Sequence, residues 1–130
     1  FMAIHNQRGQ QAEELAQAYL LQRGYQIRAT NWRYKRAEVD IIAQLNNQTV
    51  AFVEVRSRKH LQYGHPEETL SPRKKALLAM AAEAWITQTG FIGQIQFDII
   101  SITILPHLPP HAWPLKHLPD AFWFYVVATE

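Results

Sequence analysis

The chain has 130 residues, 48% of them hydrophobic and 12% aromatic, with a formal net charge of +2 and no cysteine. That is enough for one real core and too apolar for general disorder. The lack of cysteine excludes a disulfide scaffold and suits a cytoplasmic location. No apolar run approaches the roughly 20 residues of a membrane span, and the opening FMAIHNQRGQQAEE lacks the apolar stretch of a signal peptide. The charge is uneven. Residues 1–75 carry twelve Lys/Arg against seven Asp/Glu, and residues 76–130 carry one against four. Basic residues around acidic ones suit a phosphodiester partner. An ordinary solvated surface accounts for them equally well.

Residues 7–23 are expected to be helical, because Ala12, Leu15, Ala16, Tyr19 and Leu20 recur at amphipathic spacing and Gly24 closes the run. At about 100° per residue, Glu13 falls at the edge of the apolar face and Glu14 toward water. Glu13 is therefore the member of the pair able to enter a site. Two solvated carboxylates favoured by the helix dipole are the simpler alternative.

Residues 25–33 read as a strand, Tyr34-Lys35-Arg36 as a basic turn, and residues 38–45 and 49–56 as two further strands. Glu38, Asp40 and Ile42 would share one face of the middle strand, with Val39, Ile41, Ala43 and Leu45 on the other. In the next strand Phe52, Glu54 and Arg56 share a face opposite Ala51, Val53 and Val55. Asp40 and Glu54 occupy positions where a buried strand should be apolar. Burying a carboxylate costs several kcal/mol unless it is compensated. Two of them about 4 Å apart repel by roughly 4 kcal/mol in a protein-like dielectric. A cation relieves both problems, and Mg²⁺ is the usual one for an oxygen-rich site.

Register decides whether the two acids meet. A three-residue loop over Asn46–Gln48 pairs Leu45 with Thr49, which sets Asp40 opposite Glu54 and Glu38 opposite Arg56. A two-residue loop would put Asp40 and Glu54 on opposite faces.

Residues 57–70 form a loop of basic, aromatic and Gly/Pro character, a length that is often functional. Ser71 and Pro72 then start a helix running to about Thr89. Arg73, Lys74 and Lys75 in its first turn oppose the dipole. A bound phosphate would explain them, and so would plain surface charge. Residues 94–105 form a long strand holding Asp98, a candidate structural partner for a basic side chain. Five prolines between 106 and 120 exclude regular helix or inner strand there. Residues 122–128 read as a final strand. His107, His111 and His117 fit no metal-binding spacing and read as surface histidines.

The order helix, three-strand meander, helix, strand, with an acid on the helix and then Asp and Glu-x-basic on adjacent strands, resembles the PD-(D/E)XK nuclease superfamily. More closely, the chain resembles the small bacterial YraN family of predicted endonucleases, related to Holliday-junction resolvases. GQQAEELAQAYL (Gly9 to Leu20) is similar to the family's G-x-x-G-E-x-x-A-x-x-Y-L, which places the family glutamate on Glu13. Gly24-Tyr25, Asn31-Trp32-Arg33, AEVDII from Ala37, FVEVRSR from Phe52, Lys74, Phe97-Asp98, and His117 with Ala121-Phe122 match further pieces in order. Ala12 and Ala37 stand where the family has glycine, and Arg56 stands where the superfamily has lysine.

The resemblance implies a restriction-endonuclease-like αβββαβ core, a central mixed sheet flanked by helices. It implies one domain over residues 1–130, with residues 1–6 as an extension and 106–130 as a Pro-rich tail. It also implies a Mg²⁺- or Mn²⁺-dependent endonuclease acting on branched or single-strand-containing DNA. The expected metal ligands are Asp40, Glu54, the Val55 carbonyl and, through water, Glu13. The expected catalytic set is Glu13, Asp40, Glu54, Arg56 and Lys74. Arg33, Lys35, Arg36, Arg58, Lys59 and Lys74 would grip phosphates, and Tyr63 or Trp32 would stack on an unpaired base. Resolvase kinship and the aromatic tail point toward a homodimer. Arginine stays protonated and cannot act as a base, so Arg56 also leaves open a nucleic-acid-binding module with weak or lost turnover, or with Lys74 in the lysine's role.

Overall fold

The computed structural model describes residues 4–59 and 70–122, with the backbone alone for residues 4–6. The elements are α1 (Ile4–Gln22), β1 (Gln26–Tyr34), β2 (Ala37–Asn46), β3 (Thr49–Arg58), α2 (Pro72–Thr89), β4 (Gln94–Thr103) and β5 (Leu115–Phe122). The five strands form one sheet in chain order. β1, β2 and β3 are an antiparallel meander, β3 and β4 run parallel across the α2 crossover, and β5 returns antiparallel to β4. This is the expected mixed α/β sheet flanked by helices, consistent with a restriction-endonuclease-like core.

Each helix covers one face. α1 buries Ala12, Ala16 and Leu20 against Ile41, Ala43, Ala51, Val53, Ile100 and Ile102. The small alanines let the helix backbone lie close to the sheet. α2 buries Leu78, Ala81, Ala82 and Trp85 against Val39, Ile42, Val50, Phe52, Phe97 and Ile99. Phe52 is the centre of that layer. Its ring lies 5.7 Å from Trp85 at 83° and 6.0 Å from Phe97, close to the edge-to-face spacing that aromatic pairs favour. α2 starts where expected, with the Ser71 hydroxyl accepting from the Lys74 N–H at 3.1 Å, and it ends on Gly90 in the left-handed region.

The β2–β3 turn differs from the expected three-residue loop. Asn46 pairs with Thr49, so only Asn47 and Gln48 lie in the turn. A one-residue register shift between Gln44 and Asn46 then restores the pairing Ile42↔Phe52 and Ile41↔Val53. The bulge at Leu45, whose side chain is exposed, does the work assigned to the loop. An inserted residue changes strand parity wherever it is placed. Strict alternation fails at a second point. Val39 packs with Ile42 on the α2 face, while Ile41 and Ala43 face α1. Val39 was expected beside Ile41, and the break falls at Asp40.

The Pro-rich segment carries no inner strand among the described residues, as expected, but the final strand begins earlier than residue 122. Residues 115–122 pair as a strand, at the edge of the sheet where a missing N–H is tolerated. Pro119 and Asp120, the latter at φ 52°, sit in the register shift between Phe97 and Ile99. Phe122 is the last described residue, so the rest of the expected strand over 122–128 lies outside the described residues. His117 is not a surface histidine. Its ring bridges Asp98 Oδ2 at 2.8 Å and the Tyr19 hydroxyl at 3.0 Å. Asp98 is fully buried and also accepts from the Asp120 N–H and the Gln96 amide. It therefore has the basic partner expected of it, supplied by β5.

Gly93 lies at φ +155°, and a Cβ there would meet the Gln48 carbonyl oxygen at 2.5 Å. Gly93→Ala is expected to destabilise the fold by roughly 1–3 kcal/mol. Gly9, inside α1 with open space around it, gives the contrast. Gly9→Ala is expected to stabilise by about 0.5–1 kcal/mol. Urea unfolding of both variants against wild type checks the opposite signs.

Candidate acidic site

The site lies at the end of the sheet where β2 begins and β3 finishes. Antiparallel pairing of these strands brings the basic β1–β2 turn, Lys35 and Arg36, to the same end as Arg58 and Lys59. Past the pair Ile41↔Val53, the Val55 N–H donates to Asp40 Oδ2 at 2.8 Å. Of Val55, it is this N–H that the structure ties to Asp40. Glu54 follows Val53 on the opposite face from it, toward α2, and is only 8% exposed. The first turn of α2 places Lys74 Nζ 3.4 Å from Glu54 Oε2. Among the described residues, Glu54 Oε1 is buried with no hydrogen-bond partner. Glu54, Val55, Arg56, Ser57, Leu70, Ser71 and Lys74 line a cavity of about 430 Å³.

The electrostatics follow from burial. Desolvation pushes Glu54 up to about 7, the Asp40 charge adds to the rise, and Lys74 opposes it. Desolvation also raises Asp40, with the Val55 N–H and Lys74 pulling it back. Glu13 is half-buried on α1 and is raised by burial first, then by Asp40 and Glu38. Glu14 is exposed, as the helix spacing predicts. Glu13 therefore feels the Asp40 and Glu38 charges from the neighbouring helix.

Two carboxylates, one with an unpaired buried oxygen, form a donor set that fits a hard divalent cation. Among the described residues no three His, Cys, Asp or Glu converge into a complete cage. Mg²⁺ does not require one, since it is typically held by one or two carboxylates with waters and substrate phosphates.

Residues 12–102 match the family described as "Uncharacterised protein family UPF0102". The chain belongs to the UPF0102 family. It is 35% identical over 124 residues to a UPF0102 protein of Flavobacterium psychrophilum, covering 95% of this chain and all of the relative. It is 39% identical to a UPF0102 protein of Flavobacterium johnsoniae, again over 95% of this chain and all of the relative. A UPF0102 protein of Geobacter sulfurreducens is 39% identical over 88% of this chain and 87% of its own length.

Around the acid pair of this UPF0102 member, the remaining residues named from sequence divide. Arg56 lines the cavity beside Glu54. Glu38, expected opposite Arg56, is instead paired with Arg33 at 2.9 Å, its partner across β1–β2. Arg33, Lys35, Arg36 and Lys59 are exposed and Arg58 is partly so. Trp32 packs against the α2-face core and stacks on Tyr34 rather than standing free. Tyr63 lies outside the described residues. Sequence reasoning missed the Asp98–His117–Tyr19 chain. Asp98 and His117 are each visible in the sequence, but nothing there joins them, because the partner arrives through a bulged register.

A raised folded-state pKa means that Glu54 binds its proton more tightly folded than unfolded. Its contribution is therefore most favourable below the ordinary carboxylate range and is lost as pH rises toward about 7. In EDTA, Glu54→Gln is expected to stabilise the protein at pH 8 by on the order of 2 kcal/mol. The gain should vanish near pH 4. Urea unfolding across that range checks it, and a pH-independent difference would contradict it.

Proposed function

We propose that this protein is a divalent-metal-dependent endonuclease of the PD-(D/E)XK type, hydrolysing phosphodiester bonds in DNA and selective for branched or single-strand-containing structures. The observation that carries the reading is the pair Asp40 and Glu54, with one oxygen of Glu54 buried and unpaired among the described residues and Lys74 beside the other. A merely structural pair would be expected to satisfy that oxygen. The basic residues at the same end of the sheet supply sequence-independent grip on a phosphate backbone.

In this reading Asp40 and Glu54 would hold Mg²⁺ or Mn²⁺, with Glu13 on α1 contributing through water from the Asp40 side. When bound, the ion supplies an activated water and neutralises charge on the scissile phosphate. Asp40 is kept in place beside Glu54 by the Val55 N–H. Lys74 holds a compact positive charge next to Glu54, where it can meet a phosphoryl oxygen. Arg56 presents a planar fork suited to the phosphate and stays protonated throughout. The lysine function of the superfamily is thus assigned to Lys74 on the helix, and Arg56 serves as a phosphate clamp.

The second reading, a binding module without turnover, rests on Arg56. Calorimetric titration of Mn²⁺ separates metal binding from its absence, and Asp40→Ala should abolish the signal. Cleavage of branched, flapped and linear DNA then separates turnover from binding. Wild type is expected to cut branched DNA, and Lys74→Ala to lose activity by about 10²-fold or more. Arg56→Lys should change it far less. Metal binding without cleavage of any substrate would sink the enzyme reading, and a large gain in Arg56→Lys would show that Arg56 is the defect.

A further inference from the structure

A second cavity, of about 350 Å³, lies between the β1–β2 turn and the C-terminal half of α2, lined by Tyr34, Lys35, Met80, Glu83, Ala84, Thr87 and Gln88. Among the described residues it shares no lining residue with the cavity beside Glu54. Its walls combine an aromatic ring, a thioether and a methyl with a rim that both donates and accepts hydrogen bonds. The Tyr34 ring is held from behind, nearly parallel to Trp32 at 8° with centroids 6.4 Å apart. The Lys35 ammonium lies over the Tyr34 ring, 5.3 Å from its centre, on a flexible stem that lets it swing aside when a base stacks there. Lys35 itself has φ 55°, a left-handed conformation uncommon for a residue other than glycine or asparagine. The turn therefore keeps a cation at a place where glycine would be the unstrained choice.

The lining discriminates between ligand classes. A phosphate would meet the Glu83 carboxylate as well as the Lys35 ammonium, so the cavity is not an anion site. A purely apolar group would match Tyr34 and Met80 but make no use of the Gln88 amide and the Glu83 carboxylate at the rim. A flat heterocycle with donor and acceptor edges satisfies both. It can place its face on Tyr34 and Met80 and its edge on Glu83 and Gln88. The volume is at the bottom of the roughly 300–1,000 Å³ range of small-molecule pockets, room for one ring system and little more. Along α2, Glu83 lies nine residues beyond Lys74, about 14 Å at the helical rise, a few nucleotides along a strand held at the acidic site.

We propose that this cavity receives one unstacked nucleobase of the strand engaged at the acidic site, with Tyr34 as the stacking platform and Glu83 and Gln88 at the base edge. The inference rests on the nucleic-acid reading of that site and adds to it a reason for preferring unpaired DNA. A base inside a duplex could not reach the cavity without being flipped out.

The test is fluorescence anisotropy in EDTA, so that no strand is cut, with an end-labelled single-stranded oligonucleotide and its abasic counterpart of equal length. Wild type is expected to bind the base-bearing strand at least tenfold more tightly, the scale of one base–aromatic stack. Tyr34→Ala should lower that ratio about tenfold while leaving the abasic affinity unchanged, and Tyr34→Phe should keep it. Gln88 is exposed, so Gln88→Ala is a variant that folds whatever becomes of Tyr34→Ala. It should lower the ratio about threefold. An unchanged ratio in Gln88→Ala and in folded Tyr34→Ala overturns the base site and leaves the nucleic-acid reading standing. Failure of wild type to bind either strand also overturns the base site, and the nucleic-acid reading is then decided by the Mn²⁺ titration and the cleavage of branched DNA.

Discussion

The hydrogen bond from the Val55 N–H to Asp40 Oδ2, 2.8 Å long, is where strand pairing gives way to chemistry. Up to Ile41↔Val53 the backbones of β2 and β3 pair with each other. The Val55 donor is satisfied by a side chain instead. This releases β2 from strict alternation at that point, and Val39 turns to the α2 face while Ile41 faces α1. It also fixes Asp40 by one oxygen, so the carboxylate stands next to Glu54 rather than swinging toward water. Without that bond Asp40 would lose the strongest influence keeping it charged, since burial alone drives it toward protonation.

Holding two carboxylates together is a strain that the rest of the fold must offset. The repulsion is on the order of 4 kcal/mol at close range, comparable to burying two large core side chains. The α2-face layer of Phe52, Trp85, Phe97 and Ile99 lies directly along the strands from the site, and it anchors the helix that brings Lys74. Lys74 eases the repulsion without cancelling it, because Glu54 is still driven up to about 7. The metal-free protein is therefore least comfortable at the pH where a divalent cation would bind best. Occupancy by a cation would convert a destabilising feature into a stabilising one.

What could be read from sequence was whatever depends on local period. The spacing of Ala12, Ala16 and Leu20 separated Glu13 from Glu14, and Ser71-Pro72 fixed the start of α2. The β2–β3 register followed from asking which pairing lets Asp40 and Glu54 share a face, yet the device that achieves it was misplaced. A bulge at Leu45 and a two-residue turn have the same parity as a three-residue loop, and periodicity cannot tell them apart. The break at Val39 was invisible for a related reason, since a side chain took over a backbone hydrogen bond. Longer-range features left almost no trace. His117 looked like a surface residue because its partner Asp98 is met only through a β4–β5 pairing shifted at Pro119 and Asp120. The cavity at Tyr34 needs the C-terminal half of α2, whose position over β1 no local pattern specifies.

Lys74 is the residue whose position the helix itself does not justify. A lysine in a first turn opposes the dipole, typically by 0.3–1 kcal/mol, and with Arg73 and Lys75 it makes three in a row. Its ammonium is 3.4 Å from a carboxylate only 11% exposed at the side chain, where attraction is screened far less than at the surface. That interaction outweighs the dipole, so the site and not the helix explains the residue. Arg56 cannot substitute, because its charge is spread over a planar group that suits a phosphate better than a single buried oxygen. A strand lysine would be fixed by sheet register. A helix lysine is fixed by the Ser71 cap, which sets where the first turn begins. The cation's placement is thereby separated from the sheet, and β3 is free to carry an arginine without emptying the site of positive charge.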